Sequence, residues 1–346
     1  MKTIVLAGGG TAGHITPHLA ILPELKKHFD KIYYVGSGKS IEKTLMNDRG
    51  VQIFDINPPA FIRSFSLKNL LIPYKLYKAV KECENFLKKV HANVIFSKGG
   101  YCALPVCIAG FNLKIPVLCH ESDLTLGLAN KLCAKKCKAL LTTFKETAQK
   151  HNGVYVGPII RKEFFCINKN EARKKLNVQT KKPVLLIMGG SQGSKNINDA
   201  LNKNLNAVLP DFTVIHLYGK NNKPIYSAIN GYYPFAFTNT ADAINACDIC
   251  ISRGGSNTLF ELLCTQTPSL IVPLKKGSRG DQIKNAEYFL KKGAILYQDE
   301  EILRESLPKT INELYLKRPL LKENIKKLDL SNGTQKTVNL LIKYSK

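Results

Sequence analysis

The chain has 346 residues, 44% of them hydrophobic, which exceeds what one hydrophobic core usually supports and predicts two globular domains. It contains no run of about 18 apolar residues and no N-terminal signal-peptide pattern, so we expect a cytosolic chain without a membrane-spanning helix. The formal net charge of +25 predicts attraction to nucleotide diphosphates or anionic lipid. Because no nucleic-acid-binding motif accompanies this charge, nucleic acid is not an expected partner.

Strand-like runs alternate with helical runs along the whole chain. Many of the strands are continuous runs of Val, Ile and Leu, which is typical of parallel strands covered on both faces. The sequence therefore predicts an α/β fold with two Rossmann-like, doubly wound domains. The predicted strands lie at 2–7, 31–36, 93–97, 115–121 and 139–144 in the first half, and at 183–188, 212–217, 249–252 and 269–273 in the second half.

Turn residues near position 157 predict the domain boundary. We expect an N-terminal domain over residues 1–157 and a C-terminal domain over 158–331. The tail after 331 has a helical pattern, so we expect a helix over 332–346 that packs back on the N-terminal domain.

Two of the predicted strands run into a glycine-rich loop that opens a helix. The first loop covers residues 8–14 (GGGTAGH) and the second covers 189–194 (GGSQGS). Glycine lets the backbone come close to a ligand, and a helix N-terminus favours an anion. Two such loops, about half a chain apart, predict two similar domains facing one phosphorylated substrate across a cleft.

The first loop matches the dinucleotide pattern G-x-G-x-x-G, which is a weak signal alone. The predicted second strand ends in Ser37-Gly38-Lys39-Ser40 and lacks the acid that holds the ribose of NAD, so an NAD enzyme is disfavoured. His14 follows the loop at the mouth of the predicted phosphate site, where a base of near-neutral pKa would be useful. His18, one turn on, is expected to be structural.

A stretch between Asp55 and Glu82 has no acidic residue and mixes large apolar side chains with lysine and arginine. Part of this apolar set must belong to the core. The mixture also suits a surface that enters an anionic lipid leaflet. The predicted membrane contacts are Leu70, Leu71, Ile72, Tyr74, Lys75 and Lys78.

The second loop also matches G-x-S-x-G, the nucleophile motif of α/β-hydrolases. Only His216 follows Ser191, and it lies one strand later, which leaves too little chain for the hydrolase order. Ser191 is a better hydroxyl donor to a phosphate. Cys247 and Cys250 have metal-like spacing but no second pair nearby, so reduced, buried thiols are expected and no metal site is predicted.

Two further loops, at 97–101 (SKGGY) and 252–258 (SRGGSNT), also follow predicted strands. The second loop continues into a helix that carries Glu261, where a carboxylate could hold ribose hydroxyls; an exposed helix acid is the alternative. Asp281 and Gln282 follow another strand end and are typical sugar ligands. No D-x-D motif is present to clamp a metal–diphosphate, which leaves Arg161 as a candidate for neutralising the diphosphate.

Taken together, the motifs resemble the MurG family of N-acetylglucosaminyltransferases, which act in peptidoglycan synthesis. The matching segments are 8–17 (GGGTAGHITP), 98–101 (KGGY), 120–123 (HESD), 189–193 (GGSQG), 252–261 (SRGGSNTLFE) and 281–286 (DQIKNA), in the order of the family. The resemblance implies a GT-B fold, UDP-GlcNAc as donor and lipid I as acceptor, at the cytoplasmic face of the cell membrane. It implies no tightly bound cofactor and leaves divalent-ion stimulation open.

The resemblance also implies roles for particular residues. His14 would be the catalytic base. The acceptor diphosphate would contact Lys98, Gly99, Gly100 and Tyr101. UDP-GlcNAc would contact Thr11, Ala12, Gly13, Asp123, Arg161, Gly190, Ser191, Gly193, Thr238, Ser256, Asn257, Glu261 and Gln282.

The chain departs from the family pattern at two positions. Ala12 stands where many members have glycine, and its methyl group fits only if the backbone keeps a negative φ. Asp123 stands where other members have asparagine, and a carboxylate cannot donate a hydrogen bond as an amide does.

The mechanism that the resemblance implies is an inverting attack of the muramyl 4-hydroxyl on the anomeric carbon of GlcNAc. Two alternatives stay open at this point. One is another GT-B enzyme, such as a UDP-sugar glycosyltransferase or a UDP-GlcNAc epimerase, which would share the donor site. The other is a protein that binds a nucleotide sugar without catalysis.

Overall fold

The computed structural model describes residues 1–9, 12–38, 40–58, 71–190, 192–220, 222–224, 229–275 and 279–346. The predicted contacts of Thr11, Leu70 and Ser191 lie outside these residues. The chain forms two compact units, Met1–Arg161 with Ser331–Lys346, and Lys162–Leu330. No helix within the described ranges is both long enough and apolar enough to cross a membrane.

The first unit is built on a parallel sheet of seven strands in the order β3-β2-β1-β4-β5-β6-β7. Buried apolar side chains cover both of its faces, with Ile4 and Leu6 in one cluster and Val5 and Ala7 in the other. The elements are β1 (Thr3–Ala7), α1 (Ala12–Leu25), β2 (Lys31–Gly36), α2 (Ser40–Asn47), β3 (Gln52–Asp55), α3 (Ile72–Lys89), β4 (Val94–Ser97), α4 (Ala103–Asn112), β5 (Val117–Glu121), α5 (Leu128–Cys133), β6 (Ala139–Thr142), α6 (Lys145–His151) and β7 (Val154–Tyr155).

The second unit is built on a parallel sheet of six strands in the order β10-β9-β8-β11-β12-β13. The strands β8 and β11, at its centre, are fully buried. The elements are α7 (Glu163–Cys166), α8 (Lys169–Lys175), β8 (Val184–Met188), α9 (Lys195–Val208), β9 (Thr213–Leu217), β10 (Tyr232–Phe235), α10 (Thr240–Ala246), β11 (Ile249–Ser252), α11 (Ser256–Cys264), β12 (Ser269–Ile271), α12 (Asp281–Lys291), β13 (Leu296–Tyr297) and α13 (Glu300–Lys326).

The last helix, α14 (Thr334–Tyr344), belongs to the first unit and packs against α1. Gly333 N donates to Pro158 O at 2.7 Å, and Asn332 Nδ2 donates to Ile160 O at 3.0 Å. A Cβ atom on Gly333 would lie 2.6 Å from Val156 O, so only glycine fits at this return of the chain. These bonds tie the tail to residues 156–160.

Each sheet has one point at which the strand order reverses, between β1 and β4 in the first unit and between β8 and β11 in the second. In open parallel sheets, ligands bind beyond the carboxyl ends of the strands at such a point. All four glycine-containing loops singled out in the sequence leave these four strands. The fold therefore places each pair of loops where a ligand site is expected.

The prediction of two Rossmann-like, doubly wound α/β domains is confirmed. The predicted bounds of β2 and β11 are confirmed, whereas other strands are shorter than predicted: β5 begins at Val117 where the sequence predicts 115, and β12 ends at Ile271 where it predicts 273. The division between the units falls after Arg161, beyond the predicted boundary at 157.

Candidate active site

In the first unit, the half-buried ring of His14 packs against the loop that follows β4. Gly100 in this loop has a φ of +81°, and a Cβ atom there would lie 3.2 Å from His14 Cε1 and 3.0 Å from Gly9 O. Glycine is needed at this position for both its positive φ and its lack of a side chain. The structure thus brings together the β1 loop, the β4 loop and the imidazole of His14.

Lys98 begins the β4 loop, but its side chain lies beneath it and is only 4% exposed. Its Nζ donates to Ser122 Oγ at 2.6 Å and lies 2.5 Å from His120 Nδ1, both on the neighbouring strand end. Burial lowers the pKa of Lys98 to about 7 and that of His120 well below its usual value. Lys98 therefore joins two strand ends, which the sequence analysis did not predict.

Glu121, the last residue of β5, organises the turn that carries Asp123. Its carboxylate accepts hydrogen bonds from Asp123 N at 3.1 Å, Gly127 N at 2.8 Å and Asn130 Nδ2 at 3.0 Å. Burial raises the pKa of Glu121. Asp123 is half-buried at the same strand end, so its backbone is fixed where the resemblance places a sugar contact.

His18 is fully buried, as predicted for a structural residue. Its ring meets Tyr34 and Phe96 edge-on, with centroids 5.7 Å and 5.4 Å away, and its Nε2 lies 3.3 Å from Ala7 O. Burial is the main cause that lowers the pKa of His18 to about 3. His18 therefore stays neutral under the β1 loop.

Glu42 occupies the end of β2, where a dinucleotide site would carry its ribose-binding acid. It is fully buried, and its two oxygens accept hydrogen bonds from Ser37 N at 2.7 Å and Ser37 Oγ at 2.8 Å. The sequence analysis did not predict this carboxylate because Glu42 lies on α2, and its side chain reaches back to the end of β2.

In the second unit, the glycine loop after β8 packs directly on the backbone after β9. Gly193 has a φ of +75°, and a Cβ atom there would lie 2.1 Å from Tyr218 O. Gly193 N donates to Gly190 O at 2.9 Å, which closes the turn. Glycine alone fits here, and the loop leads straight into the N-terminus of α9. The backbone N–H groups of such a turn and helix end can hold a diphosphate.

Arg253, in the loop after β11, makes contacts that the sequence analysis did not predict. Its Nη2 donates to Ser194 Oγ at 2.6 Å and pairs with Glu300 Oε2 at 2.7 Å, and its Nη1 donates to Val272 O at 3.1 Å. Ser194 is the N-cap of α9, so Arg253 holds the end of the glycine loop from below. The sequence signal that could have pointed to Arg253 is its position between an apolar strand and a pair of glycines.

The loop after β11 opens α11, on which Ser256 and Glu261 are buried and Asn257 is half-buried. A Cβ atom on Gly254 would lie 2.7 Å from Gln282 O, so this loop touches the start of α12. Gln282 Oε1 accepts from Leu274 N at 2.9 Å. The start of α11, with Ser256 and Asn257, therefore lies close to the start of α12 with Gln282, and Glu261 lies further along α11.

Two other predicted donor contacts, Thr238 and Arg161, lie outside the loops after β8 and β11. Thr238 is half-buried between β10 and α10, beside Phe237, which is 61% exposed and has Lys220 Nζ 5.1 Å from its ring centroid. Arg161 is half-buried at the end of the first unit's main segment.

The hydrolase interpretation has no support in the surroundings of His216. This residue is fully buried, and its ring nitrogens bond to Tyr232 OH at 2.7 Å and Asn198 Oδ1 at 3.0 Å. Burial lowers its pKa to about 4. Cys247 and Cys250 are buried on and beside β11, as expected for reduced thiols.

The predicted membrane contacts fall on the N-terminal half of α3. Leu71 and Tyr74 are 54% and 69% exposed, Lys75 and Lys78 are exposed, and Ile72 is half-buried. The opposite face of the helix is buried against α4. The C-terminal end of α3 leads through residues 90–93 into the start of β4, so the N-terminal half of the helix extends toward the edge at which the strands end.

Taken unit by unit, the arrangement supports two kinds of chemistry. The first unit offers an imidazole beside two glycine-containing loops at its strand ends. The second unit offers a glycine loop at a helix N-terminus with hydroxyl, amide and carboxylate groups beside it, which is suited to a phosphorylated sugar.

Comparisons with known proteins define the class. Residues 4–142 match the glycosyltransferase family 28 N-terminal domain, and residues 184–341 match the glycosyltransferase family 28 C-terminal domain. The fold is similar to the crystal structure of Acinetobacter baumannii MurG, with a TM-score of 0.76 and 23% identity, over 99% of this chain and 100% of that one.

Curated relatives match over the full length. One from Clostridium botulinum (strain Langeland) is 42% identical over 100% of both chains, and one from Clostridium tetani is 39% identical over 99% of this chain and 98% of its own. Both are named UDP-N-acetylglucosamine–N-acetylmuramyl-(pentapeptide) pyrophosphoryl-undecaprenol N-acetylglucosamine transferase. This chain belongs to the MurG family of glycosyltransferases, which confirms the resemblance found in the sequence.

Proposed function

We propose that the protein transfers N-acetylglucosamine from UDP-GlcNAc to the muramyl 4-hydroxyl of lipid I, giving lipid II for peptidoglycan synthesis. The observation that carries this proposal is the 42% identity to a transferase of that name over the whole of both chains. The two glycine-loop sites described above supply the chemistry that such a transfer needs, one for a proton and one for a diphosphate.

The first unit takes the acceptor and its proton. The muramyl oxygen forms a bond to the anomeric carbon of GlcNAc as the bond from that carbon to UDP breaks, and the configuration changes from α to β. His14 accepts the hydroxyl proton, because its imidazole lies at the mouth of the strand-end loops. Gly99, Gly100 and Tyr101 offer the loop that takes the acceptor diphosphate, with Lys98 supporting it from beneath.

The second unit takes the donor. The loop with Gly190, Ser191 and Gly193 leads into α9, a helix of 14 residues, so backbone N–H groups and the helix dipole stabilise the UDP that leaves. Arg161 adds positive charge. Glu261 holds the ribose hydroxyls, Gln282 the sugar, and the backbone near Thr238 the uracil. Thr11, Ala12, Gly13, Asp123, Ser256 and Asn257 complete the proposed donor contacts. This reaction uses no tightly bound cofactor.

We also propose that the protein is peripheral at the cytoplasmic face of the membrane. The start of α3 exposes Leu71, Tyr74 and Tyr77 beside Lys75 and Lys78. Apolar side chains among cations are suited to an anionic leaflet. Leu70 and Ile72 belong to the same proposed face, and a lipid-linked acceptor would lie close to it.

The direct test is UDP release from UDP-GlcNAc by the purified protein, with and without a short-chain lipid I analogue. We expect release that depends on the analogue, together with a disaccharide product. UDP release with interconversion of the free sugar would indicate an epimerase instead. Binding of UDP-GlcNAc without turnover, with a lipid I preparation that supports a known transferase, would indicate a binding protein.

The membrane proposal is tested by flotation with vesicles containing anionic lipid. We expect Lys75→Glu with Lys78→Glu to weaken binding by at least about tenfold, since each lysine near an anionic surface contributes about 1 kcal/mol. Lys88→Glu with Lys89→Glu is the matched control, because these exposed lysines lie at the other end of the same helix. An equal loss of vesicle binding in both variants would show that the net charge of the protein, and not this particular face, determines binding.

A further inference from the structure

Four of the ten cysteines of the chain converge in the first unit. Cys107 on α4, Cys119 on β5 and Cys133 at the end of α5 are buried, and their Sγ atoms all lie within 4.8 Å of one another. The thiol of Cys137, in the turn after α5, is in hydrogen-bond contact with that of Cys119. Among the described residues, no other group of His, Cys, Asp and Glu side chains has this metal-ligand geometry.

The spacing of the sulfur atoms matches that of a thiolate metal site. A tetrahedral Zn²⁺ ion holds each sulfur at about 2.3 Å, which places the sulfur atoms about 3.8 Å apart. The Sγ atoms of Cys107, Cys119 and Cys133, which lie within 4.8 Å of one another, would have to move closer by at most about 1 Å to reach this spacing. A disulfide bond would use only two of the three sulfur atoms and would not account for the position of the third.

Cys137 is the candidate fourth ligand and would have to move closer to complete the site, since its Sγ is not among the sulfur atoms that all lie within 4.8 Å of one another. It is half-buried, its Sγ donates to Ala134 O at 3.4 Å, and it lines a cavity together with Lys136 and Lys138.

We propose that Cys107, Cys119, Cys133 and Cys137 form a structural site for a thiophilic cation of the Zn²⁺ class. This inference does not rest on the proposed function and departs from the expectation of no metal site. Cys107 also hydrogen-bonds to Ser97, whose Oγ accepts from Gly99 N at 3.1 Å. A bound ion would therefore stabilise the end of β4 and the loop that follows it, without taking part in the reaction.

The test is the zinc content of the untagged, full-length chain, produced with added zinc and dialysed against a chelator. We expect about one zinc ion per chain, as for structural sites. Cys107→Ser with Cys133→Ser should lower the content by at least about tenfold. Cys247→Ser with Cys250→Ser is the matched control, because these two cysteines are also buried but lie in the second unit.

A second measurement uses the unaltered chain, in case the cluster variants do not fold. Co²⁺ added to the reduced, metal-free protein should give the charge-transfer absorption of thiolate ligands in tetrahedral geometry, and Zn²⁺ should abolish it. Absence of both zinc and this absorption would overturn the proposal. Equal zinc loss from the two double variants would also overturn it. So would a count of eight free thiols in the denatured chain where ten are expected, because that count would indicate a disulfide bond.

Discussion

The two units carry buried charge in different ways. In the first unit, burial lowers the pKa values of His18, Lys98 and His120, which disfavours the charged form of each of these groups beneath the strand ends. In the second unit, the buried Arg253 is paired with Glu300. Under the proposed function, the first arrangement limits the positive charge around the site of proton transfer. The second supports the loop that would take the donor diphosphate.

The largest expected effect tests the proton-transfer half of this comparison. We expect His14→Ala to lower turnover by about two to four orders of magnitude, the usual contribution of a general base. His28→Ala is the matched control, since this exposed histidine follows α1 and lies outside the loops. The rate of UDP release at saturating donor and acceptor is the measurement. Turnover within about twofold of the unaltered enzyme would remove His14 as the base.

The next effect tests the paired charge of the second unit. Arg253→Met leaves the half-buried Glu300 carboxylate, whose side chain is 11% exposed, without its cation, which should lower the free energy of unfolding by up to about 3 kcal/mol. Calorimetry provides the measurement, and Arg304→Met, at an exposed position of α13, is the control. Adding Glu300→Gln should restore part of the loss. If Arg253→Met costs no more than the control, the ion pair does not hold this loop.

A smaller effect is the pH dependence of the free energy of unfolding, to which one buried histidine in each unit contributes. His18 and His216 have lowered pKa values of about 3 and about 4, so below about pH 6.5 the unfolded chain binds protons that the folded chain does not. Stability from each residue is present above pH 6.5 and is lost as the pH falls toward its folded pKa. The slope for each is at most about 1.4 kcal/mol per pH unit.

The measurement is the free energy of unfolding between pH 7 and pH 3 for His18→Gln and His216→Gln. Each variant should show a shallower loss with acid than the unaltered chain, and the effect should continue to lower pH for His18. His28→Gln, which removes an exposed histidine, should leave the slope unchanged. An unchanged slope in His18→Gln would contradict the buried, neutral state of this ring.

The fold and both pairs of loops could be predicted from the sequence because their signals are local. Continuous apolar runs predict parallel strands, and a glycine cluster after a strand predicts a close turn, without knowledge of distant residues. The contacts that hold the loops could not be predicted in this way. Arg253 and Glu300 meet only because their two segments pack side by side, and Lys98 reaches His120 only because β4 pairs with β5. The cysteine cluster joins three elements, and within it only Cys133 and Cys137 have the close spacing typical of zinc ligands.

The smallest effect distinguishes support of the donor loop from general stability. Ser194 caps α9 at the end of the glycine loop, and Asn168 caps α8 elsewhere in the same unit. Loss of either cap by alanine should cost about 1 kcal/mol of stability. Only Ser194→Ala also releases Arg253 from the loop, so we expect it alone to raise the KM for UDP-GlcNAc, by roughly fivefold. Donor titrations of the two variants at equal folded fraction make the comparison. An equal rise in both would show that helix stability sets donor affinity, and that the link from Arg253 to the loop has no separate role.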